Sequence, residues 1–183
     1  MSLLIPAVAL RSWAHMGLVA YVPFYFIQVL KGDPLTAGRL VSVFLMGGVA
    51  GTIVGGFIAD RLNHKYCFLL SMILSVPLLF IFLGVTGFWV PVILFLIGFV
   101  LISSFSITIV MGQRILPDRL GMASGIMMGL VIGMGGIGAG LLGLVADAWG
   151  ILTVIKLIAF MPAVGSIPLW MLSYPPVRPE KAS

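Results

Sequence analysis

Arg11 and His15 are the side chains of the first apolar stretch that could do chemistry. They lie four positions apart and therefore share one face of a helix. At a rise of about 1.5 Å per residue, His15 comes near mid-membrane and Arg11 about a turn and a half inside. A charge at the centre of a bilayer costs about 2.5–3.5 kcal/mol, and such residues usually face a cavity or a partner. Both are therefore candidates for a substrate path.

Arg11 and His15 would each have a chemical role in a substrate path, and each also has an alternative role that is only structural. An imidazole titrates near neutral pH, so His15 could carry a proton, and the guanidinium of Arg11 could bind an anionic group such as a phosphonate. Alternatively, Arg11 extends to the cytoplasmic headgroups and His15 is a neutral, hydrogen-bonded packing residue.

Further polar and aromatic candidates lie on the same stretch and on the fourth one. Pro23 should kink the first helix, and beyond it Phe24, Tyr25 and Gln28 could line the outer part of a cavity. The fourth stretch carries mild polarity without charge, at Ser103, Ser104, Ser106 and Thr108. Serine and threonine hydroxyls often bond to the backbone of their own helix instead, so a binding role remains one of two alternatives.

The composition indicates that lipid is the main solvent of the chain. Hydrophobic residues make up 61% of it and charged residues 8%, whereas about 25% of a soluble domain is charged. The net charge of +5 comes from scattered basic residues without a basic stripe, which argues against nucleic-acid binding. The single cysteine and dispersed histidines and carboxylates lack metal-ligand spacing. We expect no metal, no cofactor and no catalytic residues, and the start of the chain does not resemble a removable signal peptide.

Six stretches are long enough to span about 30 Å of hydrocarbon. The sequence predicts an all-α integral membrane protein with helices at about 4–28, 36–59, 66–85, 89–112, 120–146 and 151–173, followed by a polar tail at 174–183. Basic residues near the segment ends set the orientation. One side carries the larger share of them, which places that side and both termini in the cytoplasm: Arg61, Lys65, Arg114, Arg119, Arg178 and Lys181, against Lys31, Arg39 and Lys156.

A glycine-rich motif with a terminal aspartate occurs twice. The second and fifth helices both end in Gly-x-x-Ala-Asp, with Asp60 and Asp147 separated by 87 positions, close to half the chain. Each unit is therefore three helices long, and the second copy must run in the inverted direction. Inverted three-helix units are typical of secondary transporters.

Gly56-x-x-x-Asp60-Arg61-x-x-x-Lys65 resembles the loop signature of the major facilitator superfamily, although Asn63 and His64 replace a glycine and a basic residue of that pattern. The connection from Gln113 to Gly125 is also similar to that superfamily. At finer grain, Arg11-Ser12-Trp13, Pro23-Phe24 and Ser103-Ser104-Phe105-Ser106 are similar to fosmidomycin-resistance-type efflux proteins.

The resemblance implies the C-terminal six helices of a twelve-helix, proton-coupled exporter of drugs or small molecules in the plasma (inner) membrane, working by rocker-switch alternating access. It also implies a partner: an N-terminal six-helix half or a second subunit. Gly56, Asp60, Arg61 and Lys65 would form a conformational latch with that half, and Ser104 and Phe105 would lie at the substrate cavity with the first-helix candidates. The alternative for the latch motif is a topology-setting loop with a solvated ion pair.

Glycines three or four positions apart along the fifth helix predict close helix packing: Gly125, Gly129, Gly133, Gly136 and Gly140. The letters Gly133 to Gly138 also fit a dinucleotide-binding fingerprint, but no strand precedes them and Lys156 stands where an acid is needed.

Two other functional classes remain as alternatives. A truncated, non-transporting remnant or an assembly subunit would explain why only six helices are present. An intramembrane serine protease built on Ser124 is more remote, because it needs a base within reach, and the only histidines are His15 and His64.

Overall fold

The computed structural model describes residues 4–61, 63–115 and 119–171, and for residues 59–61 and 115 it describes the backbone alone. Within these ranges the chain forms six α-helices, which confirms the predicted all-α fold. They are α1 (Leu4–Gln28), α2 (Pro34–Arg61), α3 (His64–Gly84), α4 (Trp89–Ile115), α5 (Leu120–Trp149) and α6 (Ile151–Met171). The predicted tail at 174–183 lies outside the described residues.

The helix ends follow from local sequence chemistry. The carboxylate of Asp33 accepts a hydrogen bond from the Thr36 N–H at 3.2 Å and thereby caps the start of α2. The Asn63 side chain does the same for the Lys65 N–H at 3.0 Å, at the start of α3. Gly150 ends α5 with φ of 81°, a conformation that favours glycine.

Five of the helices are long and apolar enough to span a membrane, namely α2 to α6 among the described residues. The sequence predicted six such spans. α1 has the length, at 25 residues, but Arg11 and His15 lower its hydropathy. Such polar residues are tolerated because α1 is enclosed by other helices, with Arg11 and Ser12 both buried.

The packing of the helices repeats between the two three-helix units. α1 packs mainly against α5 and α6, and α4 packs mainly against α2 and α3. Exchanging each helix for its counterpart in the other unit (α1 with α4, α2 with α5, α3 with α6) turns one set of contacts into the other. The two units are therefore interlocked through α1 and α4, in agreement with the inverted repeat of the sequence.

Two apolar clusters form the core. One contains Leu4, Ala7 and Val8 of α1, and the other begins at Ala14 on the same helix and continues to Tyr25. Arg11 lies on α1 between the residues of these two clusters.

Candidate functional site

Arg11 is a buried cation at the contact between α1 and α4. Its side chain is 1% exposed, and its guanidinium carbon lies 5.7 Å from the centre of the Phe105 ring. The Nε and Nη2 atoms have no hydrogen-bond partner among the described residues. A cation–π contact is worth about 2 kcal/mol when desolvated, which does not replace the hydrogen bonds that the buried guanidinium lacks. The structure thus brings two predicted cavity residues together and leaves donors available for an anion.

His15 occupies the next turn of the same face. Its ring stacks on Phe44 of α2 at a centroid distance of 5.8 Å, and its buried Nε2 has no hydrogen-bond partner within the described part of the chain. The face shared by Arg11 and His15 is therefore directed toward α4 and α2. A guanidinium binds carboxylate or phosphate oxygens through paired N–H groups, so the arrangement of Arg11 is suited to binding an anion, and the His15 imidazole lies one turn away.

The three candidates near the end of α1 do not join this cluster. Tyr25 is buried against α3, where its ring lies 5.4 Å from that of Phe82. Phe24 is 50% exposed and lies beside Tyr21, with a ring distance of 6.4 Å. Gln28 is exposed at the last residue of α1.

Ser104 is close in sequence to Phe105 but makes an internal bond. Its hydroxyl donates to the carbonyl of Leu101 at 2.7 Å, and Thr108 donates to the carbonyl of Ser104 at 2.8 Å. Both hydroxyl hydrogens are thus used within α4, the alternative that the sequence left open. Only the oxygen lone pairs of Ser104 remain to accept a hydrogen bond.

The latch motif is described in part. Asp60 and Arg61 end α2, and their side chains lie outside the described residues. The Lys65 amine donates a hydrogen bond to the carbonyl of Trp170 at 2.8 Å. Its positive charge interacts favourably there with the negative end of the α6 dipole. His64, which the sequence placed in a loop, is buried as the first residue of α3.

The predicted packing glycines of α5 are exposed. A Cβ added to any of the five would meet no atom of the described chain within 4 Å: Gly125, Gly129, Gly133, Gly136 and Gly140. The close contacts of α5 use the opposite face, where a Cβ at Gly135 would lie 2.6 Å from Met16 and one at Gly138 would overlap the Trp13 ring. Among the described residues, this glycine face of α5 therefore has room for side-chain atoms that the close contacts of the helix do not use.

Tyr21 and Phe44 are contacts of the site that the sequence did not single out. The Tyr21 hydroxyl donates to the carbonyl of Ala139 at 2.8 Å and ties α1 to α5. Phe44 supports the His15 ring. Both are ordinary aromatic residues of apolar helices, and their facing depends on the helix packing, so no local sequence signal identifies them.

Ser124, the serine of the protease alternative, bonds to its own surroundings. Its hydroxyl donates to the carbonyl of Leu120 at 2.9 Å and accepts from the Gln113 amide at 2.8 Å. Neither group is a base that could activate a serine.

Comparisons with known proteins agree with this fold. The family model for the Major Facilitator Superfamily matches residues 3–183. The chain is 34% identical to the Fosmidomycin resistance protein of Escherichia coli (strain K12) over 93% of its own length and 42% of that protein. It is 39% identical to the uncharacterized MFS-type transporter YfnC of Bacillus subtilis (strain 168), over 79% of this chain and 36% of the relative.

A solved structure gives the same result at the level of the fold. The crystal structure of FucP, a Major Facilitator Superfamily transporter in the outward conformation, matches with a TM-score of 0.73 at 17% identity, over 95% of this chain and 42% of FucP. The chain thus spans less than half the length of the relatives it matches. The family match over residues 3–183, together with the six helices and their repeated packing, establishes that this multi-pass membrane protein belongs to the major facilitator superfamily.

Proposed function

We propose that this chain is the C-terminal half of a proton-coupled secondary transporter that exports a drug or another small molecule by rocker-switch alternating access. The observation that carries the proposal is the alignment of most of the chain with under half of two longer relatives, one named a Fosmidomycin resistance protein and the other an MFS-type transporter. The two three-helix units, interlocked through α1 and α4, would move as one body, as a rocking half requires.

The second half would cover the exposed glycine face of α5. Glycine faces permit close helix approach in membranes, and a Cβ added to any of the five glycines on this face would meet nothing within 4 Å in the described chain. Asp60 and Arg61, at the end of α2, would form the latch to that half on the cytoplasmic side.

Arg11 and His15 would serve the substrate path of the assembled transporter. Arg11 supplies unpaired donors to an anionic substrate group, and His15 exchanges a proton beside it. Phe105 lies over the guanidinium and orients it. Phe24, Gln28 and Ser104 would have at most peripheral contacts with substrate, and the buried Tyr25 would support the helix packing.

The test is co-expression of this chain with a matching N-terminal six-helix half, followed by transport measurements in everted membrane vesicles across a drug panel. We expect accumulation that requires both halves and is abolished by a protonophore. Each half alone is the control. If the co-expressed halves insert and associate but move no compound, the transporter assignment fails and the non-transporting remnant is favoured.

A further inference from the structure

A row of glycines on α2 determines how α2, α3 and α4 are arranged. Gly47, Gly51 and Gly55 are spaced by four residues, and a Cβ added at Gly47 or Gly51 would overlap the backbone of Phe95 or Phe99 on α4. At Gly55 the added Cβ would lie 2.7 Å from the Cβ of Ser103. α2 therefore lies directly against α4, whereas its contact with α3 is sparse.

The gap between α2 and α3 forms a groove with α4 as its floor. Its cavity has a volume of about 210 Å³ and is open on one side. Val54 and Ile58 of α2 form one wall, and Leu70 and Leu74 of α3 form the other. Leu70 is 62% exposed and Leu74 47% exposed. Since α2, α3 and α4 have the length and hydropathy of membrane spans, this open side faces hydrocarbon.

The serine hydroxyl groups described in the groove already have hydrogen-bond acceptors within the protein, so they do not need a polar ligand. The hydroxyls of Ser71 and Ser103 both donate to one acceptor, the carbonyl of Val100. Their hydrogens are therefore already used. An apolar cavity of this kind holds an apolar guest rather than water.

The depth of the groove corresponds to one leaflet. Of the α3 residues that line the groove, Tyr66 comes first, beside the connection that follows Asp60, and Leu74 comes last, two turns further along the helix. Eight residues of helix span about 12 Å, while half of the hydrocarbon core is about 15 Å. Tyr66 is 64% exposed, and tyrosine is favoured at the level of the headgroups.

We propose that this groove binds one acyl chain of a phospholipid from the leaflet on the Asp60 side. The bilayer supplies the occupant, the apolar walls select a hydrocarbon chain, and the depth accommodates most of its length within that leaflet. The headgroup lies at Tyr66 outside the groove, so the chain length and not the headgroup determines binding. This site is separate from Arg11 and does not depend on the proposed transport activity.

The first test uses native mass spectrometry of the protein purified with dioleoyl phosphatidylcholine or dioleoyl phosphatidylglycerol. Leu70→Trp fills the groove, and Ile73→Trp places the same side chain on an exposed part of α3 that does not line it. We expect one phospholipid per chain to survive delipidation in the unmodified protein and in Ile73→Trp. The fraction of Leu70→Trp that retains a phospholipid should be at least about fivefold lower. Equal retention in the two variants, or none in the unmodified protein, overturns the proposal.

The second test needs no groove-filling variant, so it applies even if Leu70→Trp fails to fold. Cys67, the sole cysteine of the sequence, lines the groove and serves as the probe. In a bile-salt detergent, whose rigid steroid cannot enter as a linear chain, N-ethylmaleimide should alkylate Cys67 at least about threefold faster than after addition of either dioleoyl lipid. A dihexanoyl lipid should protect less. Equal rates with and without the dioleoyl lipids, or equal protection by the dihexanoyl lipid, contradict an acyl-chain site.

Discussion

Arg11 combines a stability cost with a proposed role in function. Most of its environment could be read from the sequence, because a charge in the middle of an apolar helix must face other protein. Its contact with Phe105 could not be read in the same way, since it depends on the rotation of α4 against α1.

Replacing Arg11 by methionine should separate the two effects. Methionine has similar length and packs well in apolar surroundings. Arg11→Met therefore removes an unpaired charge whose burial destabilises the protein by about 2.5–3.5 kcal/mol. We expect a rise of about 8–10 °C in Tm in detergent together with a loss of at least about tenfold in transport by the assembled protein. Lys156→Met, at an exposed position of α6, is the control and should change neither. Normal transport by Arg11→Met would refute the binding role.

Asp60 is predicted to act as a latch with the other half. Asp60→Asn removes the charge and keeps the shape, so insertion and the helix content of the membrane-bound protein should be unchanged. Transport should fall about 5- to 150-fold, the range that corresponds to a coupling of about 1–3 kcal/mol between two states. Asp147→Asn is the matched control at the end of the repeat-related helix. An equal effect of the two substitutions would point to general electrostatics instead of a latch.

At the scale of the elements, the helices were predictable because a bilayer restricts both the secondary structure and the length of a segment that spans it. Backbone groups in lipid must bond within the segment, and the thickness of the hydrocarbon sets its length. α2 begins two residues before the predicted position, since Asp33 caps it and Pro34 is accommodated in the first turn. α4 and α5 each extend three residues beyond the predicted ends, because helices continue past the hydrocarbon where nothing stops them.

Glycines on α2 and α5 should behave differently when they acquire a methyl group. Gly51→Ala places a Cβ against the Phe99 backbone, which cannot rotate away, so it should cost about 1–3 kcal/mol and lower Tm by about 3–10 °C. Gly129→Ala meets nothing within 4 Å in the described chain and should leave Tm unchanged.

The same pair of variants tests the interface with the second half. Gly129→Ala should reduce co-purification of a co-expressed N-terminal half, which would need to approach that surface closely. If the N-terminal half co-purifies with Gly129→Ala as well as with the unmodified chain, the exposed glycine face is not an interface.

For the whole molecule, the distribution of basic residues predicts the orientation. In a Cys67→Ser background, Thr86→Cys lies at an exposed position between α3 and α4, and Ala182→Cys lies in the predicted tail. A membrane-impermeant maleimide added to intact cells should label Thr86→Cys and spare Ala182→Cys until the cells are permeabilised. The opposite pattern would invert the proposed topology.

The sequence by itself indicated that lipid is the main solvent of the chain, and it also gave the six helices, the three-plus-three repeat and the superfamily. Each of these depends on composition, on segment length or on spacing along the chain. It also selected Arg11 and His15, because polar residues are conspicuous among apolar ones.

Only the tertiary structure decided which faces meet. The sequence marked the glycines of α5 from Gly125 to Gly140 for packing, yet the described contacts use Gly135 and Gly138 on that helix and Gly51 on α2. Glycine spacing shows that a helix can be approached closely, but the rotation of each helix about its axis depends on all its neighbours at once. That rotation placed Phe105 over Arg11 and opened the groove beside Cys67, neither of which is encoded in any single segment.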